Sequence, residues 1–380
     1  MSLQQPPLAL YIHFPWCVKK CPYCDFNSHP INGEIPAKPY AKKIIEDLGY
    51  HKDFLNGREI KSIFLGGGTP SAFPSKEMKN IFEYIFSNLN IKASTEITLE
   101  ANPGTIERNH FKIYRDMGIN RVSIGAQSFQ NKQLSLLGRI HNASHIYRAI
   151  DELVESGFDN FNIDIMHGLP KQTVEQAIND LEIAISLKPK HISWYQLTLE
   201  PKTVFYNNPP ELPNEDVLFE IEKYGKDLLS DHKFHQYEVS AYSYKNEFKS
   251  QHNLNYWKFG DYIGVGAGAH SKITNISSQN IVRMSKYRSP KRYINSTPMI
   301  EDFEIVSADT LPYEFMMNIL RIKSGFTKEL FETRTGLSYT TIEKRISLAM
   351  DKRLLKQDEH LILPTNKGHR YLNDLITLFL

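Results

Sequence analysis

The chain has three cysteines, and all of them lie within eight consecutive positions, "CVKKCPYC", as Cys17, Cys21 and Cys24. Thiolates spaced by three residues and then two converge on one centre if the loop wraps around it. The ligand count then decides what that centre is. A structural zinc site takes four ligands and here needs His13 or His29 as the fourth. A 4Fe–4S cluster held entirely by protein also takes four. Held by three, it leaves one iron without a protein ligand, the open position a metal centre uses to bind and activate another molecule. An odd, clustered cysteine count offers no disulfide framework.

Other polar positions follow β-rich runs in order. "GGGTP" (Gly66–Pro70) places Gly67, Gly68 and Thr69 after one such run, where missing Cβ atoms let backbone N–H groups approach a ligand. Glu100 ends the next run and Gln127 the one after. Arg139 lies one short helix later, and Asp164 is in the fifth run. Singly, each suits a local cap or a surface ion pair. As an ordered set at successive strand ends, they favour ligand binding. Further on, "HNLNYW" (His252–Trp257) reads as an aromatic-rich loop. Its imidazole is a good iron ligand, and Tyr256 and Trp257 can stack on or enclose a flat apolar group.

These residues need a scaffold, and the first two-thirds of the chain supplies an alternating one. "LALYIHF" (Leu8–Phe14), "IKSIFLGG" (Ile60–Gly67), "STEITLEA" (Ser94–Ala101), "RVSIGAQ" (Arg121–Gln127), "NFNIDIMHG" (Asn160–Gly168) and "HISWYQLTLE" (His191–Glu200) are rich in β-branched and aromatic residues and predict strands. Helical patterns such as "SKEMKNIFEYIFSNL" and "SHIYRAIDELVESG" separate them. The fold class is therefore α/β with a parallel sheet. Periodicity fits an open doubly wound sheet and a barrel-like curve equally. "GVGAGAHS" (Gly264–Ser271) lacks the full G-x-G-x-x-G spacing of a dinucleotide site and reads as a turn at the far edge of the barrel.

"NNPPELPNED" (Asn207–Asp216) is a Pro/Asn-rich connection after which a helix restarts. From Leu311 onward, helix, turn, helix and hairpin resemble a winged helix. With 11 Lys/Arg against 8 Asp/Glu over Leu311–Leu380, this segment suits packing or partner docking better than a DNA-reading face. The expected units are 1–240, a core with the cluster loop at 17–24; 241–308, the "HNLNYW" segment and edge elements; and 309–380, a helical, winged-helix-like domain. A net charge of +2 gives no field for nucleic acid or an anionic membrane. There is no signal-like leader and no run near the roughly 18 apolar residues of a spanning helix. A cytoplasmic protein is expected.

"CVKKCPYC" after a first strand resembles the CxxxCxxC signature of the radical S-adenosylmethionine (SAM) superfamily. The resemblance implies a 4Fe–4S cluster on Cys17, Cys21 and Cys24, with the amino and carboxylate groups of SAM on the open iron. It also implies a partial (β/α)6 barrel, with the site at the carboxyl ends of its strands. "YIHFPWCVKKCPYCDFNSH", "GGGTPS", "EANPGT", "RVSIGAQSF", "LGRIH", "DIMHGLP", "SWYQLTLEP" and "HNLNYWKFGDYIGVGAGAH" together are similar to the oxygen-independent coproporphyrinogen III oxidase group, and most to its heme-chaperone branch. By position this implies SAM contacts at Tyr11, Gly67, Gly68, Thr69, Glu100, Gln127, Arg139 and Asp164. Tyr23 and the Gly264–Ser271 turn would lie near the adenine.

The oxidases of the group resemble CxxxCxxCxC and carry an extension before the first strand. Here Phe26 takes the place of the fourth cysteine, and the strand begins at Leu8. "HNLNYW" matches the HNxxYW motif of the chaperone branch and implies heme binding at His252. The expected function is a heme chaperone that hands heme to apo-proteins or membrane-bound respiratory acceptors, with room for a homodimer. One rival is coproporphyrinogen III oxidation by radical chemistry on SAM. Another is nucleic-acid binding by the C-terminal segment, which the modest charge disfavours.

Overall fold

The computed structural model describes residues 2–105 and 110–380. Six parallel strands lie side by side in chain order: β1 (Leu8–Phe14), β2 (Glu59–Gly67), β3 (Asn90–Ala101), β4 (Arg121–Gln127), β5 (Phe161–His167) and β6 (His191–Gln196). Helices cross between them, among them Ala37–Tyr50, Ser75–Asn88, Ala143–Glu155 and Val174–Ser186. β1, β4 and β5 are buried almost throughout, as strands of a parallel sheet covered on both faces must be. The helix starts are specified locally. Asn142 and Thr173 close capping boxes with His145 and Gln176, and the Asn214 side chain accepts from Val217 N–H to start the helix Glu215–Asp231.

Six further strands extend this core. β7 (His235–Gln236) and β8 (Ala241–Ser243) add antiparallel pairings beyond β6. β9 (Asp261–Val265) pairs parallel with β1. β10 (His270–Asn275), β11 (Asn280–Lys286) and β12 (Ile300–Ile305) follow antiparallel. The order is β12-β11-β10-β9-β1-β2-β3-β4-β5-β6-β8-β7. Its ends do not pair with each other, so the parallel core is an open barrel. The "GVGAGAHS" turn stands at the β1 edge of the six-stranded parallel core. It joins β9 to β10 beside β1, a pairing between residues some 250 positions apart that periodicity cannot register.

The C-terminal helices Leu311–Ile319, Lys328–Thr335 and Thr340–Asp351 and the hairpin Leu355–Asp358/Leu361–Pro364 bury a second apolar core around Phe315, Phe331 and Ile342. The "HNLNYW" segment is a helix, Gln251–Trp257. It packs on β1, β2 and β9 on one side and on the helix Leu311–Ile319 on the other. Ser250 caps it by accepting from Asn253 N–H, and the Glu96 carboxylate accepts from Gln251 and His252 N–H, placing negative charge at the positive helix end.

Candidate functional site

The cysteine loop leaves β1 through the short strand Trp16–Cys17 and turns tightly, with Cys24 N–H donating to Cys21 O at 3.1 Å. Lys20 Nζ reaches across to Phe26 O at 2.9 Å and Ser28 O at 3.4 Å, so the loop wraps around its own thiols. The thiols make long, weak contacts, among them Cys17 with His29 O at 3.8 Å, Cys24 with Ser28 Oγ at 3.9 Å and Cys21 with Arg139 Nη1 at 3.7 Å. Burial pushes the Cys17 thiol up, and Cys24 and Cys21 add to that rise. The three are thus within electrostatic reach of one another, and a cationic centre among them would reverse the rise.

Among the described residues, no three His, Cys, Asp or Glu side chains stand close enough to ligate a single metal ion. Ligands of an iron–sulfur cluster sit on different iron atoms and are spread wider, so the donor set fits the cluster. The zinc alternative loses its fourth ligand. His13 pairs through Nδ1 with the Tyr11 hydroxyl at 3.0 Å and through Nε2 with Asn27 O at 2.8 Å, and His29 Nε2 faces Arg288 O at 3.3 Å.

The "GGGTP" turn is pressed against the start of this loop. A Cβ on Gly67, which has φ +113°, would come within 2.6 Å of the His13 ring, and one on Gly68 within 2.5 Å of Trp16 O. Gly68 N–H donates to Phe14 O and Thr69 N–H to Trp16 O, both at 2.7 Å. Gly67 N–H faces Glu100 Oε2 at 3.3 Å. The Gly68 and Thr69 N–H groups hold the start of the cysteine loop, and the glycines serve close backbone approach.

Glu100 is pushed up to about 8 by burial and by the nearby Asp164 charge. Burial also raises Asp164, which accepts hydrogen bonds from Ser123 Oγ and Asn162 Nδ2. Gln127 ends β4 in the left-handed region, φ +65°, and accepts from the Tyr195 hydroxyl at 3.0 Å. A non-glycine residue held in that region at a strand end is stored strain. Arg139 bonds Gly125 O at 2.8 Å and leaves a buried Nε without a partner, which suits an acceptor brought by a ligand. Tyr23 lies against Phe205, 6.4 Å between ring centres.

One cavity of ≈ 570 Å³ joins part of this set to the "HNLNYW" helix. Tyr11, Gly67 and Glu100 line one side, and His252, Tyr256 and Tyr262 form the floor. Phe26, His270 and Arg288 stand at its mouth. Gly68, Thr69, Gln127, Arg139, Asp164 and Tyr23 lie outside its lining. His252 and Tyr256, four residues apart on one helix face, point together. His252 Nδ1 pairs with the Ser62 hydroxyl and Nε2 with the Tyr256 hydroxyl, both at 3.0 Å. Its ring stacks on Phe64 at 4.9 Å. Burial, with Arg121 nearby, lowers its pKa to about 3, so it is neutral.

Sequence reasoning missed Tyr195, Phe64 and His141, and assigned no role to His13. His141 fixes Arg139 from beside it, its Nε2 donating to Ala126 O at 2.9 Å. Each acts through a partner on another strand, and no local signal marks that.

Residues 11–184, which include the three cysteines, match the family model of the radical SAM superfamily, and residues 306–371 match that of the HemN C-terminal domain. The heme chaperone HemW of Haemophilus influenzae is 45% identical over 379 residues, covering 99% of this chain and 98% of that protein. The heme chaperone HemW of Escherichia coli is 44% identical over 375 residues, covering 99% and 98%. Among solved structures, the coproporphyrinogen III oxidase HemN from Escherichia coli superposes with a TM-score of 0.83 at 21% identity, over 99% of this chain and 90% of that one. That likeness is one of fold. With relatives this similar along both full lengths, the chain belongs to the HemW family of the radical SAM superfamily.

Proposed function

We propose that this chain binds heme in the ≈ 570 Å³ cavity and transfers it to heme-accepting proteins, membrane-bound respiratory enzymes among them, from the cytoplasm. No helix among the described residues is long and apolar enough to cross a membrane. The observation that carries the reading is the composition of this cavity. Tyr11, Gly67 and Glu100 meet an aromatic floor of Phe64, Tyr256 and Tyr262 and a basic, apolar mouth of Arg288 and Phe26. Aromatic faces suit a flat macrocycle, and a guanidinium suits its carboxylates. Phe26 occupies the place of the fourth cysteine of the oxidases, and it is 56% exposed.

Cys17, Cys21 and Cys24 hold the 4Fe–4S cluster, and Glu100, Gln127, Arg139 and Asp164 hold SAM with Tyr11, Tyr23, Gly67, Gly68 and Thr69. When bound, the cluster offers SAM an open iron and an electron. Glu100 takes or releases a proton according to what charge lies beside it. His252 supplies a neutral imidazole on the floor against which the macrocycle lies. It ligates iron only if Nε2 gives up the Tyr256 hydroxyl.

The test is an anaerobic hemin titration of cluster-reconstituted protein with SAM, run beside a coproporphyrinogen III assay with reductant. A saturable one-to-one Soret complex without decarboxylation supports the chaperone reading. Turnover without a heme complex overturns it in favour of the oxidase.

A further inference from the structure

Three imidazoles line the cavity: His13, His252 and His270. Two are closed to a ligand as they stand. His13 is held between the Tyr11 hydroxyl and Asn27 O, and His252 between the hydroxyls of Ser62 and Tyr256. His270, the first residue of β10, is exposed, and among the described residues its ring makes no side-chain hydrogen bond. Its partner in the ladder is Ser285 of β11, which fixes its backbone at the cavity mouth. Burial by its neighbours and the Arg283 and Arg288 charges favour its neutral form, which keeps a nitrogen lone pair available at neutral pH.

Beside it, Arg288 is exposed at the same mouth, and among the described residues its guanidinium has no ion-pair partner. Phe26 adds an exposed ring. The Asn27 side chain ties together the segments these three come from, alongside His29 Nε2 at Arg288 O and the backbone bonds Gly268 N–H to Tyr287 O and Lys286 N–H to Ala269 O. Asn27 Nδ2 donates to Ala267 O and to Arg288 O, each at 2.9 Å. Gly268, with φ +82°, lets that amide in, since a Cβ there would lie 2.3 Å from Nδ2. An imidazole, a free guanidinium and an apolar ring on one braced rim match the three chemistries of heme: iron, propionate and macrocycle.

We propose that His270 ligates the heme iron at the cavity mouth, with Arg288 paired to a heme propionate and Phe26 laid against the macrocycle. This rests on the reading of the chain as a heme binder and names the residues that capture the cargo. The ligation adds a nitrogen–iron bond and changes no oxidation state.

Hemin is titrated anaerobically into the reconstituted, SAM-loaded protein as wild type, His270→Ala, Arg288→Ala and His252→Ala. Circular dichroism and cluster absorbance serve as checks on folding. The expected result is a shifted Soret band and affinity weakened on the order of tenfold or more in His270→Ala, with the wild-type spectrum restored by added imidazole. Arg288→Ala keeps the wild-type spectrum and binds on the order of tenfold more weakly. Wild-type affinity and spectrum in His270→Ala overturn the proposal while leaving heme binding intact. No complex with the wild type overturns the heme reading itself, and the proposal with it.

Discussion

The floor and the mouth of the cavity are built on opposite principles. On the floor, His252, Ser62, Tyr256 and Phe64 satisfy one another, and the imidazole is 1% exposed. At the mouth, His270, Arg288 and Phe26 make few side-chain contacts and are braced through their backbone, by Asn27 Nδ2, His29 and the β10/β11 ladder. A closed polar cluster in a low-dielectric site is rigid and costly to break. An open rim leaves its valences to whatever arrives. A carrier that must release its cargo gains from having these two kinds of surface in one cavity.

Substitutions separate the two kinds of surface. The largest effect is expected on the floor. His252→Ala removes a stacked ring and strands the hydroxyls of Ser62 and Tyr256, which should cost about 3–5 kcal/mol of unfolding free energy in a urea titration. A loss below about 1 kcal/mol would mean that the floor is as loose as the mouth. Asn27→Ala tests the brace between them. Loss of its two hydrogen bonds should cost about 1–3 kcal/mol and speed cluster loss under a chelator, followed by absorbance. Unchanged cluster retention would uncouple the loop from the mouth.

Glu100 sharpens the contrast from the side wall. Its carboxyl is raised from 4.5 to about 8, so the ligand-free fold loses stability as pH rises from 4.5 through 8, and Glu100→Gln should remove that loss. SAM carries a sulfonium cation, and a cation beside Glu100 requires the carboxylate. SAM affinity should therefore rise about tenfold per pH unit below pH 8, with proton release in calorimetry, and Glu100→Gln should flatten the profile. The smallest effect is at the rim. His270→Ala should change stability by no more than about 0.5 kcal/mol, and a larger loss would show that the rim is structural.

How legible these regions were in the sequence follows from how local their causes are. β1 could be bounded to the residue, because a strand buried on both faces reads as a nearly unbroken apolar run. β3 begins at Asn90, four residues before the expected start at Ser94, because its polar opening is held by pairing Asn90 and Ile91 with Glu59 and Ile60. The Gln251–Trp257 helix is too short to show a period, and its N-terminal carboxylate comes from Glu96, on another strand. The cysteines announced themselves by spacing alone. Tyr195 meeting Gln127 did not, since strand order decides that contact. The free state of His270 was equally hidden, because it depends on which neighbours are missing.

The Asn27 amide also bears on when the protein becomes competent. It ties the residues just after Cys24 to carbonyls 240 and 261 positions further along the chain. Contacts of such separation form late in folding, after loop closure has been achieved elsewhere. During synthesis, which proceeds from the N-terminus, the three thiols emerge long before the segment that sets their loop. The nascent chain therefore passes through a long interval with its metal ligands made but not yet framed. A fully framed loop is a post-translational product, and cluster insertion is expected to be efficient only into the completed chain.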